Sequence, residues 1–337
     1  MGKRLVNQLI DDGYYQVHCL DLTIPPMNKR ISSVRSYIQT DITNKQHMVE
    51  ALSGMDVVFH TASIVPTVEV TDEDMNLINI VGTRNVIEAC KENGVKRLIY
   101  TSSTCVVLSK DPNKVCEDVE ENQSLPEDPL NIYVRTKGIA ETLVVNANEE
   151  DGLCTCALRL AGLLGGTDSR IMMTFMSRCV VQLSQGQARI SWVEVNSAAN
   201  AHVVADKRLR ETVSGSSNPC GNQVAGKAYN ISISDKFHVG ELYRFFAKEN
   251  GRPLIILPSW VVKSLIFFNV HMYNVTGIIP LHTYLNSAGV DFLQSHFTVS
   301  TEKAKRELGW EDRRPWREIV RELIMDYKAK SESHLKA

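Results

Sequence analysis

Charge of one sign is missing from this sequence: 37 lysines and arginines stand against 39 aspartates and glutamates, a formal net charge of −2. So even a balance excludes a disordered polyelectrolyte and leaves no electrostatic case for nucleic acid as a partner. Metal-binding spacing is missing too. The eight cysteines (Cys19, Cys90, Cys105, Cys116, Cys154, Cys156, Cys179 and Cys220) are dispersed, with no Cys-x-x-Cys pair and no histidine partner at zinc spacing. No metal site is expected, and the thiols read as reduced core residues of an intracellular protein. Arg4, Asp11, Asp12 and Asp21 interrupt the first thirty residues, where a secretory leader needs a continuous apolar stretch. No segment is a clean membrane span either. The run Trp260 to Leu281 comes nearest, but it carries Lys263, Asn269, His271 and Asn274, which are costly at the centre of a bilayer. Repeats and low-complexity segments are absent.

What is present is enough chain, at 337 residues and 43% hydrophobic, for a large core and for two lobes of roughly 150 residues each. From Gly2 to about Ile190 short β-branched runs alternate with helical stretches, the pattern of a parallel sheet wound by helices. Strands are expected at Gln16 to Leu20, Ser36 to Gln39, Asp56 to His60, Lys96 to Ser102 and Thr155 to Leu160. Helices are expected at Lys3 to Asp12, Asn44 to Ser53, Asp74 to Asn93 and Ile132 to Asn148. After Ile190 the alternation weakens. Gly215 to Gly226 reads as a turn-rich loop, a lobe of mixed structure runs through residues 191–328, and a helix from about Trp316 to Lys328 ends in a frayed polar tail, 329–337.

Parallel sheets bind ligands beyond the carboxyl ends of their strands, so polar residues just after strands carry the functional argument. Tyr133 and Lys137 in NIYVRTK lie one helical turn apart and share a face. A phenol with an ordinary pKa of about 10 is a poor base at neutral pH unless a nearby cation stabilises the phenolate, which Lys137 can supply. The same pair is also common on solvated helices. Context singles it out: Tyr100-Thr101-Ser102-Ser103-Thr104 places hydroxyls at a strand end, thirty positions upstream of Tyr133, where one could hydrogen-bond the oxygen that Tyr133 protonates or deprotonates. In DVVFHTAS, His60, Thr61 and Ala62 follow another strand end, although His60 reads equally as a satisfied buried histidine. Asp21 ends the first strand and can accept hydrogen bonds from an adenosine ribose, which selects NAD over NADP. Asp41, followed by Ile42 in YIQTDIT, could contact the adenine end. A turn or N-cap role is the alternative for either aspartate.

Together these residues resemble the extended short-chain dehydrogenase/reductase family, most closely its 3-beta-hydroxysteroid dehydrogenase/isomerase-like branch. The resemblance runs through DLTIPP, YIQTDIT, VVFHTAS, NIVGTRNVIEAC, VKRLIYTSS, YVRTK, TCALRLAGLLGG, AYNIS and STEKAKRELGW, nearly the whole chain in order. It implies a Rossmann-like doubly wound α/β domain over residues 1–190, a smaller substrate lobe over 191–328 with segments returning to the sheet, and NAD as cofactor with NADP as the alternative. By position it implies Ser103, Tyr133, Lys137 and Asn79 as the catalytic set, with Ser102 as the fallback for Ser103 and Asn79 organising the Lys137 side. Gly2, Asp21, Asp41, Ile42, His60, Thr61 and Ala62 join Tyr133 and Lys137 as cofactor contacts. The implied reaction is hydride transfer between a secondary alcohol and a nicotinamide, on a 3-beta-hydroxysteroid or sterol-like substrate. A carbonyl reductase or nucleotide-sugar epimerase of the same family, and a non-catalytic scaffold, are the rival readings. Homodimerisation through the helices of 74–93 and 133–148 is common in relatives.

The family's strand followed by Gly-x-x-Gly-x-x-Gly is entered only at its last glycine, Gly2, so the fold is expected to lack its first strand and the pyrophosphate to lose most of its cradle. Either the start was assigned downstream of the true one or this product no longer binds dinucleotide; the completeness of the other motifs favours the first. Smaller departures are Leu160 where proline is usual, Gly165-Gly166-Thr167-Asp168 at a turn, and Val195-Asn196-Ser197 in place of Val-Asp-Asn. Substrate identity is expected in Ser169 to Gln185, where Met172, Met173, Phe175 and Met176 line a sterol pocket or form core. Residues 260–281 suit a helix lying at a membrane interface, with a buried helix as the alternative, and imply a cytoplasmic or endoplasmic-reticulum membrane-associated protein.

Overall fold

The computed structural model describes residues 1–67, 69–111, 116–165, 180–183, 186–211, 220, 223–276, 290, 293–294 and 296–335. The strands are β1 (His18–Asp21), β2 (Ser36–Gln39), β3 (Val57–His60), β4 (Arg97–Ser103), β5 (Cys116–Val119), β6 (Cys154–Leu160), β7 (Gly162–Leu164), β8 (Val180–Leu183), β9 (Trp192–Glu194), β10 (Lys227–Ile231), β11 (Leu254–Leu257) and β12 (Phe297–Val299). The helices are α1 (Gly2–Asp12), α2 (Lys45–Ala51), α3 (Asp72–Met75), α4 (Thr83–Glu92), α5 (Ile132–Asn146), α6 (Val195–Arg210), α7 (Val239–Glu249), α8 (Ser259–Thr276) and α9 (Trp316–Leu335). Local chemistry sets their ends. Asn44, Thr71 and Asn131 each accept a hydrogen bond from a first-turn amide of α2, α3 and α5, and Gly13 takes the left-handed conformation that stops α1.

The central sheet is parallel with order β10-β6-β4-β3. Its middle strand β6, CTCALRL, is buried along its whole length, as a strand covered on both faces must be. One face packs Met48, Val86, Ile87, Leu98, Ala140 and Val144, which brings α2, α4 and α5 onto it. The other packs Ile99, Leu158, Ala198, Ala201 and Ala205, which seats α6 there. This is a doubly wound α/β fold.

Strands β1 to β4 fall into two separate sheets. β1 and β2 form a separate parallel pair, and β1 is not hydrogen-bonded to β3. Between them lies a cavity of about 450 Å³ lined by Leu5, Leu9, Leu20, Val57, Val58 and Phe59. The inner edges of two strands therefore face a slot. Val57, Val58 and Phe59 are only partly buried, whereas Leu98 and Ile99 on β4 and Cys156 to Leu158 on β6 are almost fully covered.

The second lobe is built on Trp316, stacked on Phe237 with ring centroids 4.5 Å apart and packed with Leu242, Phe246, Ile319 and Val320. Two expectations need correction. α9 continues to Leu335, so the segment after Lys328 is helical; its residues up to Leu335 contain no glycine or proline to stop a helix. Cys154 and Cys220 are not reduced thiols but form a disulfide across 66 residues, because Cys220 is folded back against the start of β6. Cys19, Cys90, Cys105 and Cys156 are free thiols, while Cys179 and the apolar set Met172 to Met176 lie outside the described residues. No helix among the described residues is long and apolar enough to cross a membrane.

Candidate active site

The carboxyl ends of β1 to β4 open onto one rim, and the parallel register puts the predicted residues there in sequence. Ser103 is the last residue of β4 and Tyr133 lies in the first turn of α5, whose start is fixed by the Asn131 cap. Burial pushes the Tyr133 phenol well above its ordinary range, and the neighbouring Ser103 hydroxyl opposes only part of that shift. Ser102, by contrast, turns into the protein, where its hydroxyl donates to Glu141 at 2.6 Å. The geometry thus separates the two serines, and only Ser103 meets Tyr133.

Lys137 follows one turn later and is 2% exposed. Its ammonium donates to the Thr101 carbonyl at 2.6 Å and sits 4.3 Å from the centre of the Tyr100 ring. Burial lowers its pKa to about 7, against the raising influence of Cys105 and Glu141. In this structure the Thr101 carbonyl and the Tyr100 face hold the Lys137 ammonium, and burial dominates the shift of Tyr133.

Asn79 lies in a π-helical turn, Asn76–Gly82, between α3 and α4. Single π turns insert one residue and recur at functional sites. Here the turn aims Asn79 inward. Its carboxamide accepts from the Ile64 amide at 2.9 Å and donates to the Ile64 carbonyl and Thr136 Oγ1, both at 3.1 Å. Asn79 therefore joins the loop after β3 to α5 through the neighbour of Lys137.

The cofactor-side residues divide. Gly2 and Thr61 come together, since a Cβ on Gly2 would stand 3.6 Å from Thr61 Oγ1, and Ala62 next to them is exposed. Asp21 is exposed at the end of β1, where its carboxylate accepts from the Thr23 amide at 3.1 Å. Asp41 is engaged as a turn residue, accepting from the amide and hydroxyl of Thr43, both at 2.8 Å. Ile42 packs onto Gly82, where any side chain would collide: a Cβ there would lie 2.7 Å from Ile42. His60 faces the core. It is 4% exposed and hydrogen-bonded to Thr83 Oγ1 at 3.0 Å, and burial lowers its pKa to about 3. Its side chain is the satisfied buried histidine rather than a contact at the rim.

Sequence reading missed Glu141 and Arg159, although a charge inside the apolar strand TCALRL and a carboxylate four residues past Lys137 were the available signals. It also missed His202, which meets Thr101 Oγ1 at 2.8 Å from the opposite face of the sheet.

Among solved structures, a UDP-glucose 4-epimerase from Thermotoga maritima superposes with a TM-score of 0.73 at 19% identity, over 98% of this chain and 96% of its own, a likeness of fold. In sequence, 3beta-hydroxysteroid-dehydrogenase/decarboxylase isoforms 1 and 2 of Arabidopsis thaliana are each 29% identical over 89% of this chain, which spans 67% of the first and 52%, about half, of the second. The mouse (Mus musculus) sterol-4-alpha-carboxylate 3-dehydrogenase, decarboxylating, is 26% identical over 92% of this chain and 83% of its own. The model of the 3-beta hydroxysteroid dehydrogenase/isomerase family matches residues 1–254, through every strand and helix that shapes the rim. A serine, tyrosine and lysine at the end of a wound parallel sheet, carried on a sequence this family describes over three quarters of its length, place the chain in the 3-beta hydroxysteroid dehydrogenase/isomerase family of oxidoreductases acting on CH–OH groups.

Proposed function

We propose that this chain is an NAD-dependent dehydrogenase of a 3-beta-hydroxysterol or steroid, with Ser103, Tyr133 and Lys137 as its catalytic residues. The observation that carries the reading is the meeting of Ser103 and Tyr133 at the carboxyl end of β4, with Lys137 one turn behind them. In the oxidising direction Tyr133 would act as the phenolate, held by the positive charges of Lys137 and of the bound nicotinamide, and its Oη would take the hydroxyl proton while Ser103 Oγ–H donates to the same substrate oxygen. Lys137, titrating near neutrality, supplies positive charge behind the tyrosine. Asn79 holds α5 through Thr136.

The rim fits a dinucleotide at both ends. Asp21 is free to take the adenosine ribose hydroxyls, and Ser103, Tyr133 and Lys137 converge where a nicotinamide would lie. α1 begins at Gly2 with no side-chain cap and no acidic residue in its first turn, which leaves its amides to a phosphate. When bound, NAD supplies the hydride acceptor.

The test is oxidation of a 3-beta-hydroxysterol by the purified chain, followed as NADH formation. Tyr133→Phe should lower kcat roughly a hundredfold or more, the range for losing a positioned acid–base group. An undiminished rate in Tyr133→Phe overturns the assignment.

A second reading concerns placement. α8 buries Val262 and Ile266 but leaves Trp260 71%, Phe267 73% and Val275 69% exposed, beside Lys263. Large apolar side chains over a basic flank suit the headgroup boundary of a membrane, where a sterol substrate partitions. This supports a peripheral protein that meets lipid through α8.

A further inference from the structure

Glu141 is the one buried carboxylate on the helix that carries Tyr133 and Lys137, and the hydride chemistry makes no use of it. It lies one turn beyond Lys137 on the same face of α5 and is 4% exposed. Arg159 of β6, itself 5% exposed, grips it from two nitrogens: Nη2 donates to Oε1 at 2.7 Å, and Nε donates to Oε1 and Oε2 at 3.0 Å. Ser102 of β4 donates to Oε2 at 2.6 Å. Ser102 and Arg159 are register partners on adjacent strands, so the carboxylate is held by one rung of the sheet. Every donor it receives comes from the two strands beneath the site.

Such a pair is a poor source of stability, because removing two charges from water costs about as much as their attraction returns. What it provides is direction. A bidentate arginine fixes the plane of a carboxylate as well as its distance, and this one is attached to a helix that could otherwise slide or roll over an alanine- and valine-rich seam of Ala140 and Val144. Tyr133, Lys137 and Glu141 form a stripe of side chains four residues apart, which meet the sheet at Ser103, Thr101 and the Ser102–Arg159 rung respectively. A roll of α5 large enough to part Tyr133 from Ser103 must first break the lowest contact. Asp206, a buried acid paired with two arginines, ties Arg97 and Arg210 together on the opposite face of the sheet from α5.

We propose that Glu141, clamped by Arg159 and Ser102, is a positioning residue that sets the rotation and height of α5 and so keeps Tyr133 beside Ser103. The proposal rests on Tyr133 being the acid–base group. The carboxylate also faces Lys137 and raises its pKa, as does Cys105, while Tyr100 and the Thr101 carbonyl complete the surroundings of that ammonium. The clamp thus acts on both of the functional side chains of its helix.

The discriminating variant replaces the clamp by apolar side chains of similar size, S102A/E141L/R159M. A merely structural pair would be replaced without loss. The proposal expects a protein that melts within a few degrees of the wild type and oxidises a 3-beta-hydroxysterol roughly tenfold to a hundredfold more slowly at saturation, with KM for sterol and NAD changed less than about twofold. Wild-type kcat in a stable triple variant overturns it. Should the triple variant fail to fold, Glu141→Gln, which keeps the shape and removes the charge, is read in the same way. If Tyr133→Phe turns over as fast as the wild type, or the wild type does not turn over, the chemical reading has failed and not this one. The crystal structure of the folded variant then decides: a Tyr133 displaced from Ser103 supports the clamp, and an unchanged placement refutes it.

Discussion

His60 and His202 sit on opposite faces of the central sheet, both buried, and burial lowers them to about 3 and about 4 from an ordinary value of 6.5. A histidine whose folded pKa lies below its unfolded one costs nothing above pH 6.5, where both states are neutral. Below 6.5 the unfolded chain takes up a proton that the folded chain refuses, so stability falls with pH until the folded pKa is reached. Each should contribute a slope of about 1.4 kcal/mol per pH unit in this window, before most carboxylates protonate. Urea unfolding between pH 6.5 and 5 measures it: His202→Gln should remove about one proton from the slope, and an unaltered slope would show that His202 is charged in the folded state. The two serines make the complementary point for catalysis. Ser103→Ala should lower kcat roughly a hundredfold, the scale of one lost donor to a developing oxyanion, with little change in KM. In sequence Ser102 and Ser103 are indistinguishable neighbours. Only the Ser102–Glu141 bond tells them apart, and it joins residues 39 positions apart.

At the scale of elements, the strands and helices read between Gly2 and Leu160 were legible because their signals are local, whereas β5, β7 and β8 were not anticipated. β2 falls on Ser36 to Gln39 as read, and the others lie within about two residues, since periodicity locates an element better than its ends. The π turn at Asn76–Gly82 was not legible, because a one-residue insertion leaves the apolar period of the surrounding helix nearly intact. Its role predicts that Asn79→Ala, which strands the Ile64 amide and carbonyl and the Thr136 hydroxyl, costs roughly 1–3 kcal/mol of stability as well as rate. The disulfide and the extended α9 escaped for different reasons: cysteine pairing depends on distant chain segments, and a polar helix end lacks an apolar stripe. α8 was ambiguous in sequence between interface and core because it carries both a buried and an exposed apolar stripe. One stripe buries Val262 and Ile266, and the other exposes Trp260, Phe267 and Phe268. Phe267→Glu/Phe268→Glu should weaken partitioning onto anionic phospholipid vesicles at least about tenfold while leaving the melting temperature within a few degrees, because exposed side chains contribute little to packing. Equal partitioning of variant and wild type would remove α8 from the membrane contact.

For the molecule as a whole, the feature that local periodicity could not announce is the slot between β1 and β3. The flanking strands do not collapse onto each other: β1 keeps its ladder to β2, β3 keeps its ladder to β4, and the cavity between them stays lined by Leu5, Leu9, Leu20 and Val58. Closing it would require β1 and β3 to move together across the width of one strand, about 4.8 Å to either side. α1 stands in the way, anchored by Leu5 and Leu9 against Ala199 and Val203 of α6, and Phe59 of β3 packs against the same group. The fold therefore retains open edges rather than lose that packing. Backbone groups without ladder partners are protected only by the ladder on their other side. Native-state hydrogen exchange should consequently find the amides of β1 and β3 exchanging roughly tenfold or more faster than those of β4 and β6, which are paired on both edges. The contrast should be largest between β3 and β4, which share a ladder and a hydrophobic face but differ in the second edge. Uniform protection across β1, β3, β4 and β6 would mean that the slot is closed in solution, and that α1 had yielded to let the two sheets join.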